Sequence, residues 1–363
     1  MGKRSKVTTR DIAEYTGLSQ STVSMILSGR QGVSFMPETR ETVMNAAREL
    51  GYKKPQKAAP ASETDLKDTI LLLAPLLSNS YYTSIIHSIT EQAALYNYDV
   101  LTAVTFRQED RESQYLSLGR TGRLAGIIIL YPISRITEAN ALSKDTPMVM
   151  IGEKPDRIRF DSIELDSKKP GWLVADHLLS LGHRHMAFVS SPIRKHEISR
   201  ARRLEGIQLA FRDRGLDESL VEVFQPSPKE FEKYPRQSPE YQIGYDMAKK
   251  ALAASPAITA FIGQNDMTAY GILSSLRESG YLIPRDYSVA GFDDSIMSSM
   301  PQISLTTVEH AAVQKGKDAV DLIYNKNKKQ QGRSPITRME YEPRLILRNT
   351  TGPLRTRKKE DRA

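Results

Sequence analysis

Residues 7–28 read Val7-Thr8-Thr9-Arg10-Asp11-Ile12-Ala13-Glu14-Tyr15-Thr16-Gly17-Leu18-Ser19-Gln20-Ser21-Thr22-Val23-Ser24-Met25-Ile26-Leu27-Ser28. Thr8 followed three residues later by Asp11 is a capping-box pattern that starts a helix. Ile12, Ala13 and Tyr15 give that helix an apolar face, and Thr16-Gly17-Leu18 breaks it. Gly17 supplies the positive φ that a tight turn between helices requires. Ser19 caps a second helix, with Val23, Ile26 and Leu27 as its apolar stripe and Gln20, Ser21, Thr22, Ser24 and Met25 on its other positions; Gly29 ends it. A third helix begins at Pro37, with Glu38 in its first turn; Val43, Ala46, Ala47 and Leu50 form its stripe and Gly51 its C-terminal cap. Three short helices with a tight turn between the first two predict a helix-turn-helix. Small amide and hydroxyl side chains on the second helix suit base edges in a major groove. A generic three-helix bundle with a polar outer face is the competing reading.

Charge supports the first reading. The chain has 363 residues, 51 Lys+Arg against 43 Asp+Glu, and a net charge of +8. Residues 1–60 hold ten bases and five acids, residues 353–363 five bases and two acids, and the stretch between them is neutral. The excess is therefore at the ends, where it can meet phosphates or serve solubility alone. A composition of 39% hydrophobic and 26% charged residues is globular and suggests two or three domains. The absence of cysteine excludes disulfides, thiolate metal sites and cysteine nucleophiles. No apolar run approaches the roughly 20 residues of a membrane helix, and no signal-peptide core follows the basic N-terminus. The expected location is the cytoplasm.

The stretch Val7–Ser24 resembles the DNA-binding headpiece of the lactose/galactose/purine repressor family of bacterial transcription regulators. So do Gly32-Val33-Ser34, Glu38-Thr39-Arg40-Glu41-Thr42-Val43 and Glu49-Leu50-Gly51-Tyr52, and the likeness runs to about Asn349. It implies a sequence-specific regulator, a repressor, binding double-stranded operator DNA as a homodimer, with a tetramer left open. The DNA-facing residues would be Thr8, Arg10, Ser19, Gln20, Ser21, Thr22, Ser24, Met25, Arg30, Lys53 and Lys54. Among these, Arg10, Arg30, Lys53 and Lys54 would hold phosphates. Three features depart from the family pattern: Met25 replaces a base-reading Arg, Phe35-Met36 is inserted before the third helix, and Pro60 interrupts the stretch where a DNA-induced helix would form. Residues 53–68 read as a Pro/Ala/Lys-rich linker between a headpiece over 1–52 and a core over 69–349, with a basic tail over 350–363.

Within the core, Ile70–Ala74, Val100-Leu101, Gly126–Leu130 and Met148–Ile151 read as buried strands. Met186–Val189, Val221–Val223, Thr259–Ile262 and Ser288–Gly291 form a second series. Strands alternating with helices predict α/β architecture, two lobes with parallel sheets, and a small-molecule cleft at the carboxyl ends of the strands. The resemblance implies the same periplasmic-binding-protein-like core with three crossovers. The expected lobes are 69–165 with 309–330, and 166–308 with 331–349. Dimerisation is expected on lobe faces such as the helix around Met267–Leu276.

Candidate effector contacts lie at strand ends. Ser78, Tyr81 and Tyr82 follow the first strand, and a Tyr ring stacks on a sugar or a base; packing at a helix start is the alternative. Ser199 and Arg203 share one helix face in the family's Ser-x-x-x-Arg-x-x-Gly stretch, and Arg203 offers a fork of donors. The resemblance carries effector roles to Asn265, Asp266 and Asp293, with helix capping the alternative for Asp266 and for Asp294. Leu130 and Gly152 stand where the lactose repressor itself has polar residues, which argues against a lactose-like galactoside. The effector class is a sugar, a sugar phosphate or a nucleobase or nucleoside. Trp172 is expected to pack. No cofactor and no metal site is expected, His183 and His185 included, and no phosphate loop or hydrolase elbow is present. An enzyme is not expected. The alternative function is a cytoplasmic small-molecule-binding protein whose headpiece does not engage DNA.

Overall fold

The computed structural model describes residues 7–28, 35–52, 66–121, 124–153, 157–193, 198–235, 239–328 and 335–354. The chain separates into two compact units, Met1–Thr64 and Asp65–Ala363. Arg30, Lys53, Lys54, the hinge residue Pro60, nearly all of the expected linker, and the tail beyond Leu354 lie outside the described residues.

The first unit contains α1 (Thr9–Thr16), α2 (Gln20–Ser28) and α3 (Pro37–Glu49). The capping box is present: the Thr8 amide donates to Asp11 Oδ2 at 2.7 Å, and the Asp11 amide donates to Thr8 Oγ1 at 3.4 Å. Those contacts hold the Asp11 carboxyl below its usual range. Gly17 turns the chain at φ 69°. Ser19 Oγ accepts from the Thr22 amide at 3.1 Å and caps α2. Helix α3 closes with Gly51 at φ 69° and the Tyr52 amide donating to Ala47 O at 2.8 Å, a Schellman ending. Ile12, Val23, Ile26, Val43, Ala46 and Ala47 are buried together. The inserted Phe35 packs onto this small core, so the insertion adds apolar cover to it.

The second unit begins β1 (Thr69–Ala74), α4 (Ser80–Leu95), β2 (Asp99–Val104), α5 (Glu109–Thr121), β3 (Gly126–Ile129), α6 (Ile136–Leu142), β4 (Met148–Glu153) and β5 (Asp161–Leu165). It continues with α7 (Lys168–Ser180), β6 (Met186–Val189), α8 (Ile198–Asp213), β7 (Val221–Phe224), α9 (Pro228–Phe231), α10 (Pro239–Ala254), β8 (Ala260–Gly263), α11 (Asp266–Glu278) and β9 (Ser288–Ala290). Then come β10 (Thr307–Glu309), α12 (Ala312–Lys328), β11 (Arg338–Glu340) and β12 (Arg344–Ile346). One parallel sheet runs β11-β5-β4-β3-β1-β2 and a second β7-β6-β8-β9, while β10 and β12 pair antiparallel. Buried aliphatic side chains fill both faces of each sheet, as parallel sheets require.

The chain passes between lobes three times: at Asp166-Ser167, at His310-Ala311, and between β11 and β12. Here two expectations are corrected. Residues 331–349 do not all belong to the second lobe, because β11 pairs with β5 at the edge of the first sheet (Met339 opposite Ile163). Nor is α11 a free face for dimerisation. Thr268, Ala269, Tyr270, Gly271, Ile272 and Leu276 on it are buried by α10 and the sheet. The lone Trp172 packs as expected against the second lobe's core, and its Nε1 donates to Asp213 at 2.8 Å. His183 is a structural tie: its ring nitrogens bond Thr259, Ser288 and Gly352 O at 2.9–3.0 Å.

Candidate functional site

On the headpiece, Gln20, Ser21 and Ser24 are exposed on α2 while Val23 and Ile26 are buried; Thr22 and Met25 are half-buried between those faces. Gln20 Nε2 reaches back to Thr9 Oγ1 at 3.4 Å, and Ser19 Oγ lies 2.8 Å from both the Ser21 and Thr22 hydroxyls. The polar face is thus small, uncharged and held in place by its own hydrogen bonds. Arg10 is exposed at the side of α1 in a weak ion pair with Glu14 at 3.5 Å. The Thr8 hydroxyl is occupied by the capping box at 2.9 Å from Asp11 Oδ2.

In the core, the carboxyl ends of the strands of both lobes open on one cleft of ≈ 1190 Å³. From the first lobe come Ser78, Tyr81 and Tyr82 of the β1–α4 turn, Phe106, Arg107 and Arg111 after β2, Tyr131 after β3 and Glu153 at the end of β4. The second lobe supplies Ser199 and Arg203 of α8, Phe231 and Tyr234 of the segment before α10, Gln264 and Asn265 after β8, and Asp293 after β9. Asp166 and His310, on two crossovers, also line it. Leu130 and Gly152, singled out in the sequence as altered positions, also line it.

Arg203 is positioned by helix packing. A Cβ on Gly206 would stand 2.0 Å from Lys168 O, and one on Gly171 would stand 2.1 Å from Arg203 O. Only glycine permits this approach of α7 and α8, and the approach presents Arg203 to the cleft. There its guanidinium lies 4.6 Å over the Phe292 ring and 3.8 Å from Asp293 Oδ1, and Nη1 donates to Gln264 O. Gln264 is itself fixed, its Oε1 accepting from the Ser190 hydroxyl and the Ser191 amide at 2.9 Å each. Burial pushes the Asp293 carboxyl well above the usual range, and the Arg203 charge opposes that shift. Asp293 sits at φ 125°, a conformation L residues rarely adopt, so its placement is maintained against backbone strain. Across the cleft, buried Glu153 accepts from the Ser167 amide at 3.1 Å and from Arg202 of α8 at 3.4 Å, an ion pair that joins the lobes. Tyr82 Oη accepts from Arg107 at 3.2 Å, and Tyr81 meets Tyr82 edge-on at 5.3 Å.

Asp266 is a correction. It does not line the cleft; it is fully buried beneath it. Its carboxylate accepts from Ser298 Oγ at 2.6 Å, Thr307 Oγ1 at 2.6 Å and the Ser295 amide at 2.9 Å, tying α11 to the strand-end loops. Burial raises its pKa to about 6 against the pull of those donors. Asn265 does line the cleft, but its Oδ1 caps α11 by accepting from the Thr268 amide at 3.0 Å. Asp294 pairs with Arg348 at 2.6 Å. The sequence reading missed Glu153, Arg107, Tyr131 and His310.

Residues 8–55 match the model of the bacterial regulatory proteins of the lacI family, and residues 175–351 match the periplasmic binding protein-like domain. The chain thus carries a lacI-family DNA-binding domain followed by a periplasmic-binding-protein-like domain. The HTH-type transcriptional regulator DegA of Bacillus subtilis is 28% identical, over 97% of this chain and 100% of that protein. The HTH-type transcriptional repressor PurR of Mannheimia succiniciproducens is 25% identical over 94% of this chain and 98% of its own. A LacI family regulator from Enterococcus faecium, solved with bound ribose, superposes with a TM-score of 0.67 at 24% identity over 79% of this chain and 100% of that one. A chain with these two domains is a DNA-binding transcription regulator with an effector-binding core.

Proposed function

We propose that this regulator is a repressor that reads operator DNA through α2 and responds to a neutral, polyhydroxylated small molecule, a sugar, at the base of the cleft. Gln20, Ser21, Ser24 and Met25 meet base edges; Thr8, Arg10, Ser19 and Thr22 border the backbone, with Arg30, Lys53 and Lys54 supplying phosphate contacts. Two headpieces in a homodimer would read a near-palindrome. The effector contacts are Ser78, Tyr81 and Tyr82 from one lobe and Ser199, Arg203, Asn265 and Asp293 from the other.

The observation that carries the effector class is that two acids lining the cleft already have cationic partners: Asp293 is 3.8 Å from Arg203, and Glu153 is 3.4 Å from Arg202. A phosphate there would face two carboxylates, whereas a hydroxyl both donates to a carboxylate and accepts from a guanidinium. The tyrosines supply the apolar faces on which a sugar ring lies. The relatives' role as regulators and the self-paired acids support a binding protein rather than an enzyme, working in the cytoplasm.

A thermal-shift screen of sugars, sugar phosphates and nucleobases tests the effector class, since a ligand that binds only the folded state raises the melting temperature. Sugars are expected to stabilise most; stabilisation by a nucleobase or a phosphate ester alone overturns the class. For DNA, an electrophoretic shift with the gene's own upstream region should appear and should vanish on deleting residues 1–60. Failure to bind any genomic fragment at low salt would instead favour a sugar-binding protein without operator function.

A further inference from the structure

Helix α2 is uncharged at every position: Gln20-Ser21-Thr22-Val23-Ser24-Met25-Ile26-Leu27-Ser28. That composition restricts which base pairs it selects. In the major groove a guanine is picked out by a cation donating to O6 and N7, and a cytosine by a carboxylate accepting from N4. Neither kind of side chain is on α2. An A·T pair is selected by an amide, which bonds adenine N6 and N7 together, and by an apolar group, which covers the thymine methyl. Both are present, as Gln20 and Met25.

Their surroundings set these two apart from the rest of the helix. Val23 and Ile26 face inward and are buried in the headpiece core. The Ser21 and Thr22 hydroxyls each lie 2.8 Å from Ser19 Oγ at the start of α2, and a hydroxyl both donates and accepts, so it discriminates weakly between bases. Gln20 is exposed and gives one Nε2 hydrogen to Thr9 Oγ1 at 3.4 Å. A carboxamide has a second such hydrogen and an oxygen with two lone pairs. That hydrogen and Oε1 are what adenine N7 and N6 require, and they stand at the N-terminal end of the helix, where a helix-turn-helix touches base edges. Met25, one turn beyond Ser21, is half-buried beside the exposed Ser24. Its thioether therefore keeps apolar surface in water on an otherwise polar face, and covering a thymine methyl removes such surface from both partners.

We propose that α2 selects an A·T-rich half-site, with Gln20 reading an adenine and Met25 covering the C5 methyl of a thymine. The inference rests on α2 being the operator-facing helix. All ten bases among residues 1–60 lie outside α2, where phosphate contacts add affinity without choosing a base pair. Sequence choice then falls to an amide and a thioether.

The test begins with the full chain selecting duplexes from a random-sequence pool. In the part of each half-site that the protein shields in the major groove, A·T pairs should outnumber G·C pairs. A segment of mostly G·C pairs overturns the inference and leaves the operator reading intact; no enriched sequence at all overturns both. Each thymine of the enriched operator is then replaced in turn by deoxyuridine, which deletes only the methyl. One replacement should weaken wild type about fourfold, the worth of one buried methyl, and leave Met25→Ala unchanged within about 1.5-fold. No sensitive thymine, or equal sensitivity in Met25→Ala, overturns the role of Met25. In the same way, 7-deazaadenine at one adenine should cost wild type about fivefold and Gln20→Ala nothing, and equal losses overturn the role of Gln20. Should Met25→Ala fail to fold, wild type decides by photocross-linking. An operator carrying 5-iododeoxyuridine at the sensitive thymine should cross-link to Met25, and a cross-link elsewhere, or none, overturns the contact.

Discussion

Asp266 and Asn265 are neighbours at the end of the same strand, yet only Asn265 faces the cleft, because α11 begins between them. Asn265 caps the helix, and Asp266, in its first turn, is carried under the sheet to Ser298 and Thr307. The residue types at strand ends were readable from the sequence; which of two adjacent polar residues turns outward depends on a helix start one residue away. The consequence is testable through pH. The Asp266 carboxyl is at about 6 when folded, above an unfolded value of about 3.9, so the folded state holds the proton more tightly. Its contribution to stability is greatest below the unfolded value and declines as pH rises from about 4 to about 6, on the order of 2–3 kcal/mol. Asp266→Asn should flatten urea-unfolding stability across that interval and leave sugar affinity within about threefold. Loss of sugar affinity with an unchanged pH profile would return Asp266 to the ligand. In the headpiece, half-buried Met25 stands beside the exposed Ser21 and Ser24 on α2. Met25→Arg should alter operator preference by about 1–3 kcal/mol, measured as competition between operator variants, and change affinity for random DNA less. Equal effects on both would show that position 25 touches only phosphate.

At the scale of elements, the strands the sequence disclosed are those whose apolar runs are continuous, such as β1 and β3, both buried throughout all or nearly all their length. Strand β5 was not among them, since Asp161-Ser162-Ile163-Glu164-Leu165 looks like surface. It is buried because its acids are answered from far along the chain: Asp161 by Lys326 at 2.9 Å and Glu164 by Arg338 at 3.3 Å. No local pattern reports a partner more than 160 residues away. Strand β11, which delivers Arg338, was missed for the same reason. By contrast, Gly206 in the Ser-x-x-x-Arg-x-x-Gly stretch was legible as a motif, and packing now explains it. Gly206→Ala should cost about 1–3 kcal/mol in urea unfolding, because its Cβ meets backbone that cannot step aside cheaply, and the surviving folded protein should bind sugar more weakly as Arg203 shifts. Unchanged stability would mean that α7 and α8 are farther apart than described. Beside the second crossover, Lys315 is 1% exposed, 5.7 Å from the Tyr341 ring, and burial lowers its pKa to about 8 while Glu309, Glu153 and Glu340 oppose the shift. A base whose folded value lies below its unfolded value, about 10.4, destabilises when charged; stability should therefore rise with pH between about 8 and 10, on the order of 3 kcal/mol at most. Lys315→Met should remove that rise relative to wild type, and an identical profile would show that Lys315 reaches water.

At the scale of the whole molecule, the regulator consists of two units with separate chemistries: a headpiece whose excess charge suits phosphates, and a core of two lobes whose cleft balances its charges internally. Regulation requires that effector occupancy change the free energy of operator binding, a coupling of typically about 1–3 kcal/mol, or about 5- to 150-fold in affinity. A sugar that contacts one lobe alone has little reason to prefer one lobe arrangement over another. One that meets Arg203 and Asp293 on one side and Tyr81 on the other does distinguish them, and the size of that difference limits the coupling. Arg203→Ala removes the second-lobe half of this contact without touching the headpiece. Operator affinity in the absence of sugar should then match wild type within about twofold, with the same steep fall as salt rises, because the phosphate contacts are unchanged. The change in operator affinity on adding saturating sugar should shrink to less than about threefold. The same binding assay, run with and without sugar at two salt concentrations, separates the possibilities. Loss of operator binding without sugar would mean that Arg203 maintains the fold rather than reads the effector, and a full sugar response would mean that the lobes are coupled through other residues.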